Sequence, residues 1–72
     1  GNYSNSFASY KLAAESGIAN AQFHLALCYL NGNGTRENVE TARGWLQKAS
    51  DAGYDRAKKK LQELDSIPQI KQ

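Results

Sequence analysis

This sequence predicts an all-α fold: an α-α superhelix (solenoid) fragment of four helices in two antiparallel hairpins. Three observations carry that expectation. A set of residues recurs 36 positions apart, pairing Ala13 with Ala49, Gly17 with Gly53, Ala21 with Ala57 and Leu25 with Leu61. Between these marks the apolar residues follow the three-and-four spacing of amphipathic helices. Glycines stand where the first three apolar stripes stop. Repeats of this length are the mark of stacked helix pairs, because one pair alone cannot bury its apolar face.

The first helix is expected from about Ser4 to Ser16, with Phe7, Tyr10, Ala13 and Ala14 on one face. Gly17 supplies the left-handed residue that commonly ends a helix. A second helix follows from about Ala19 to Asn31, its stripe formed by Ala21, Leu25, Cys28 and Tyr29, with Gly32 as its cap. So short a connection forces the two helices antiparallel, and alanines at 13 and 21 let their backbones approach. Gly32, Asn33 and Gly34 have the chemistry of a turn that needs positive φ.

Asn38 is the expected N-cap of a third helix, with Glu37 and Glu40 placing negative charge near its positive end. Val39, Ala42, Trp45, Leu46 and Ala49 make its stripe, and Gly53 closes it. Gly44 lies off that stripe and is read as tolerated. A fourth helix, capped by Asp55, runs to about Asp65 with Ala57, Leu61 and Leu64 inward and charge elsewhere. Ser66 and Pro68 stop it, since proline disfavours helix before it and removes a donor. The remaining residues, to Gln72, are expected to be extended or loose.

Composition narrows the function classes. A 72-residue chain makes one small domain with a thin stability margin. Its 40 % hydrophobic content and single proline favour a folded helical chain over disorder. No run approaches the roughly 20 apolar residues of a membrane span, so direct membrane insertion is not expected. No secretory leader is visible, and Gly1 in place of methionine suggests a processed or excised chain. Cys28 is the single cysteine, so the fold stands without an internal disulfide. A net charge of +2 provides no strong field for nucleic acid.

Gly17, Ala21, Leu25, Ala26, Tyr29, Gly32 and Gly34, followed by Ala42, Trp45, Lys48, Ala49 and Gly53, together resemble the Sel1-like repeat family, relatives of the tetratricopeptide repeats. The resemblance divides the chain into a partial repeat at 4–17, a complete repeat at 18–53, a decayed C-terminal capping helix at 54–66 and a tail at 67–72. Ser6 and Ser9 stand where the family places alanine and tryptophan, so the first half-repeat is expected to pack less. The 36-residue shift carries Tyr29 to Asp65, Gly32 to Pro68 and Gly34 to Ile70, which erases the signature. The chain is therefore expected to be the C-terminal end of a longer array, with its polar fourth helix as a cap. The resemblance also implies adaptor roles in assembling complexes, in bacterial envelopes and in eukaryotic quality control.

Side chains with chemical potential have structural explanations. His24 and Cys28 are four apart on a helix, but a structural zinc site needs four ligands and no other His or Cys exists, so no metal and no cofactor is expected. Cys28 on the inward stripe is a poor thiolate, and no catalytic residue is assigned; the chain is not read as an enzyme. His24 itself is expected to be exposed. Arg56, Lys58, Lys59 and Lys60 form a basic cluster on the fourth helix, with Lys59 positioned to pair with Glu63. Without interleaved aromatics this cluster reads as a solvated cap face rather than a nucleic-acid surface. Tyr29 and Trp45 read as core packing.

Phe23 and Leu27 do not fit the stripe of the second helix. They lie one turn apart on a rotated face, and Asn20, Leu30 and Asn31 extend the same strip. By resemblance, the first helix of each pair lines the concave surface, where such a strip would project. An apolar strip flanked by amides suits peptide binding or self-association. Packing by a neighbouring repeat accounts for it equally well. The expected function is a noncatalytic protein–protein interaction scaffold that binds a protein or peptide through Asn20, Phe23, Leu27, Leu30 and Asn31. The other reading is a structural end cap or homodimerisation module that stabilises upstream repeats.

Overall fold

A computed structural model describes residues 2–66, with side chains described for 7–65. Four helices follow one another: α1 (Asn2–Glu15), α2 (Ala19–Asn31), α3 (Val39–Asp51) and α4 (Asp55–Ser66). Among the described residues there is no strand, and substantial packing runs only between consecutive helices, α1 on α2, α2 on α3 and α3 on α4. No helix among them is long and apolar enough to cross a membrane. Pro68, the tail 67–72 and the side chain of Ser6 lie outside the described residues.

The 36-residue period is written into the backbone. Gly17 and Gly53 both take positive φ, 95° and 94°. The hydrogen bonds around them match as well: Gly17 N–H donates to the Ala14 carbonyl and Ile18 N–H to Ala13, while Gly53 N–H donates to Ser50 and Tyr54 N–H to Ala49. Each glycine thus lets the chain fold back and satisfy the last carbonyls of the preceding helix. An L-residue there would be strained even though nothing lies within 4 Å of a Cβ at either position.

The α2–α3 connection is longer and differently held. Gly32 is left-handed, with its N–H bonded to the Cys28 carbonyl, and Asn38 N–H returns to the Tyr29 carbonyl at 2.8 Å. Asn38 then caps α3 as expected, its side-chain oxygen accepting from Thr41 N–H at 3.1 Å. At α4 the expectation needs correction. The Tyr54 carbonyl accepts from both Ala57 and Lys58 N–H, so Tyr54 precedes the helix and Asp55 is its first helical residue. Asp55 contributes charge near the positive helix end rather than a cap.

Two apolar clusters form the interior. Ala14, Ala21 and Leu25 pack with Phe7, Tyr10 and Ala13 between α1 and α2. Ala26, Ala42, Leu46, Ala49 and Ala57 form the second, with Leu61 and Leu64 of α4 closing over it. Tyr29 and Trp45 border both clusters and tie them together, half-buried rather than enclosed. Among the described residues six of the nine buried apolar ones are alanine, so the helices approach through Cβ atoms, and Leu25 and Leu46 are the large side chains fully enclosed between them.

Candidate functional site

α2 carries the strip singled out in the sequence, and packing against α3 and α4 alters its character. Phe23 is half-buried, packed against the second cluster, with its ring 5.3 Å from that of Tyr54 and 5.6 Å from that of His24. Leu30 is likewise half-buried against that cluster. The expectation that Phe23 and Leu27 do not fit the core is corrected for Phe23, and Leu30, which extends their strip, also packs inward: Tyr54, entering α4, leans across α2 and draws the strip partly inward. Asn20 is exposed and donates its side-chain N–H to the Tyr54 hydroxyl at 2.9 Å. Leu27 is half-buried, and Asn31 is the exposed last residue of α2. Among the described residues the large apolar side chains most open to solvent lie elsewhere, at Leu12, Ile18 and Val39.

His24 also departs from expectation. Its ring stacks on Tyr10 of α1 at 5.0 Å and 16°, and it is half-buried. Tyr10, His24, Phe23 and Tyr54 therefore form one row of rings that joins α1, α2 and the start of α4. Each ring is fixed by the next, so Phe23 is held in position rather than free to turn.

On the α4 side of Phe23 lies a shallow depression of about 170 Å³, lined by Phe23, Arg56, Lys59, Lys60 and Glu63. Lys60 pairs with Glu63 at 3.5 Å, in place of the expected Lys59–Glu63 pair. The successful pair is three residues apart, a separation that a helix brings together as readily as four. Arg43 of α3 pairs with Asp65 of α4 across the helix interface. Among the described residues Arg56 and Lys59 have no carboxylate within ion-pair reach. The basic cluster expected to be a plain solvated face thus supplies one wall of a groove whose other wall is Phe23. Lys58 is exposed and does not line it.

Sequence reasoning missed Tyr54 and the α4 wall. The 36-residue shift places Asn20 on Arg56, Phe23 on Lys59 and Leu27 on Glu63. Applied to surface positions as well as core ones, it would have found the second half of the groove.

Other chemistry is sparse. Cys28 is a buried free thiol, and burial raises its pKa, which disfavours the thiolate that a nucleophile or metal ligand requires. Among the described residues no group of three or more His, Cys, Asp or Glu side chains is disposed to hold a metal.

Antiparallel helix pairs that repeat their turn bonds every 36 residues and pack only on their chain neighbours define a helical-repeat protein. The Sel1 repeat family model matches residues 19–54, half of the chain, and the chain belongs to that family. It is 39 % identical over 54 residues to chitin synthase regulator SKT5 of Malassezia restricta, covering 75 % of this chain and 4 % of the relative. Over 45 residues it is 40 % identical to an exopolysaccharide production negative regulator of Rhizobium meliloti, covering 62 % of this chain and 17 % of that protein. DAP3-binding cell death enhancer 1 of Rattus norvegicus is 34 % identical over 56 residues, 78 % of this chain and 11 % of its own length. The chain thus spans less than a fifth of the length of each of these relatives. No solved structure matches it significantly. Sel1 repeat proteins are generally protein-interaction scaffolds or regulators.

Proposed function

We propose that this chain is a noncatalytic interaction scaffold, the C-terminal part of a Sel1-like repeat array that binds a peptide or protein segment on a concave face built from α2 and α4. The observation that carries this reading is Phe23, an aromatic side chain fixed by neighbouring rings yet opening onto a depression between two helices. Asn20, Leu27, Leu30 and Asn31 extend that surface along α2. The loss of the family signature at Asp65, Pro68 and Ile70 supports the terminal position. The names of two relatives as regulators, and of a third as DAP3-binding, support a protein partner. Neither nucleic acid nor membrane insertion belongs to the proposal.

Selection of a displayed peptide library on the 72-residue chain tests it. A recurring motif is expected, with binding lost in Leu27→Glu while far-UV circular dichroism is unchanged. Binding untouched by Leu27→Glu would refute the placement.

A second reading, an end cap or homodimerisation module, is favoured by Leu12 and Ile18, which are 68 % and 51 % exposed in the N-terminal hairpin. Sedimentation discriminates the two. A concentration-dependent dimer, abolished by Leu12→Glu, supports self-association; a monomer at all concentrations excludes it.

A further inference from the structure

We propose that the groove between α2 and α4 takes an extended acidic segment, with one apolar side chain set against Phe23 and carboxylates held by Arg56 and Lys59. This rests on the scaffold reading above and names the chemistry of its partner.

Four observations lead there. The groove wall contains three cations and one carboxylate, and that carboxylate is already engaged by Lys60 at 3.5 Å. Arg56 and Lys59 are left as the cations with no carboxylate in reach among the described residues. Their positions match those of Asn20 and Phe23 in the preceding helix pair, so a strand of peptide crossing from α2 to α4 meets an apolar surface and then positive charge. Phe23 packs on the rings of both His24 and Tyr54, and the Tyr54 hydroxyl is held by Asn20, so the anchor surface is already ordered before binding.

A phosphodiester chain fits these facts less well. Base stacking needs a free aromatic face, and Phe23 is half-buried with the rings of His24 and Tyr54 within 5.6 Å. Glu63 on the groove wall would also stand against a continuous line of phosphates. A peptide places its carboxylates discretely and lets an uncharged residue pass Glu63.

The test uses fluorescence polarisation of the 72-residue chain with a labelled extended peptide of aspartates and glutamates flanking one leucine. Its comparison probes are the same peptide with amides for carboxylates, the same peptide with serine for leucine, and a single-stranded oligothymidylate. The acidic peptide is expected to bind best and to weaken with added salt. Lys59→Glu is expected to weaken it about ten-fold, while Lys58→Glu, one residue away and outside the groove, changes it less than about two-fold. Equal effects of Lys58→Glu and Lys59→Glu would reduce the binding to diffuse charge attraction and overturn the assignment. Amide and acidic peptides binding alike, or oligothymidylate binding more tightly than either, would overturn it as well. A neutral motif from the library selection that is lost in Leu27→Glu would leave the scaffold reading standing and remove only the acidic partner.

Discussion

Leu46→Ala is the perturbation that most directly probes how this small interior holds together. Leu46 is fully buried, and the buried members of its cluster are Ala26, Ala42, Ala49 and Ala57. An alanine has no rotamer with which to move into a vacated space, so closure of the cavity falls to helix shifts and to the half-buried Trp45, Leu61 and Leu64 packed against the cluster. That places the cost near the middle of the range for buried leucine truncations, about 3–4 kcal/mol. A domain of this length has roughly 4–11 kcal/mol of total stability. The variant should therefore lose a large fraction of it, and its Tm should fall by roughly 12–30 °C, at about 4–8 °C per kcal/mol. Urea unfolding followed both by far-UV circular dichroism and by the fluorescence of Trp45, the single tryptophan, measures the loss. Because Trp45 and Tyr29 border both clusters, the two signals should move together. A loss below about 1 kcal/mol would refute the argument that this interior relaxes only partly, and two separate transitions would refute the joining of the clusters.

Further outcomes are expected at other positions. Asn38→Ala removes the acceptor for Thr41 N–H and should cost about 1 kcal/mol in urea unfolding, whereas Asn38→Gly should cost only a few tenths. Gln22 is buried, donates to the Ala14 carbonyl and leaves its own side-chain oxygen without a protein partner, while that carbonyl also accepts from Gly17 N–H. Gln22→Met should accordingly be neutral or stabilising by up to about 1 kcal/mol, and a loss above about 2 kcal/mol would contradict that balance. Burial raises the Cys28 pKa in the folded state, so the unfolded chain releases the thiol proton first as pH rises. The associated stability is intact below the unfolded thiol's ordinary pKa and declines as pH rises from there through the folded one. Urea midpoints across that alkaline window should fall more steeply for the wild type than for Cys28→Ala.

The helices and their junctions were legible because their causes are local. Gly17 and Gly53 mark the two turns, since only glycine takes φ near 95° without strain, and Asn38 announces α3 through a bond three residues long. Alanines at helical spacing identified the faces that touch. What escaped was set by residues far apart in the chain. Phe23 looked unpartnered because its neighbour, Tyr54, lies on the far side of a whole helix, and His24 looked exposed because nothing in α2 itself predicts the Tyr10 ring beside it. The basic run of α4 read as solvated because its apolar wall comes from another helix. A single-helix reading sees periodicity; a groove requires two helices.

Because each helix packs substantially on only the helices before and after it in the chain, no segment has to be threaded past another for the fold to form. Such short-range wiring favours folding on the fast side of the single-domain range, microseconds to milliseconds. It also bears on mechanics. Tension along the chain would part consecutive helices one seam at a time, and each would redock on its neighbour when the load is removed. Chains wired in this way behave as extensible springs whose restoring force comes from alanine-faced seams.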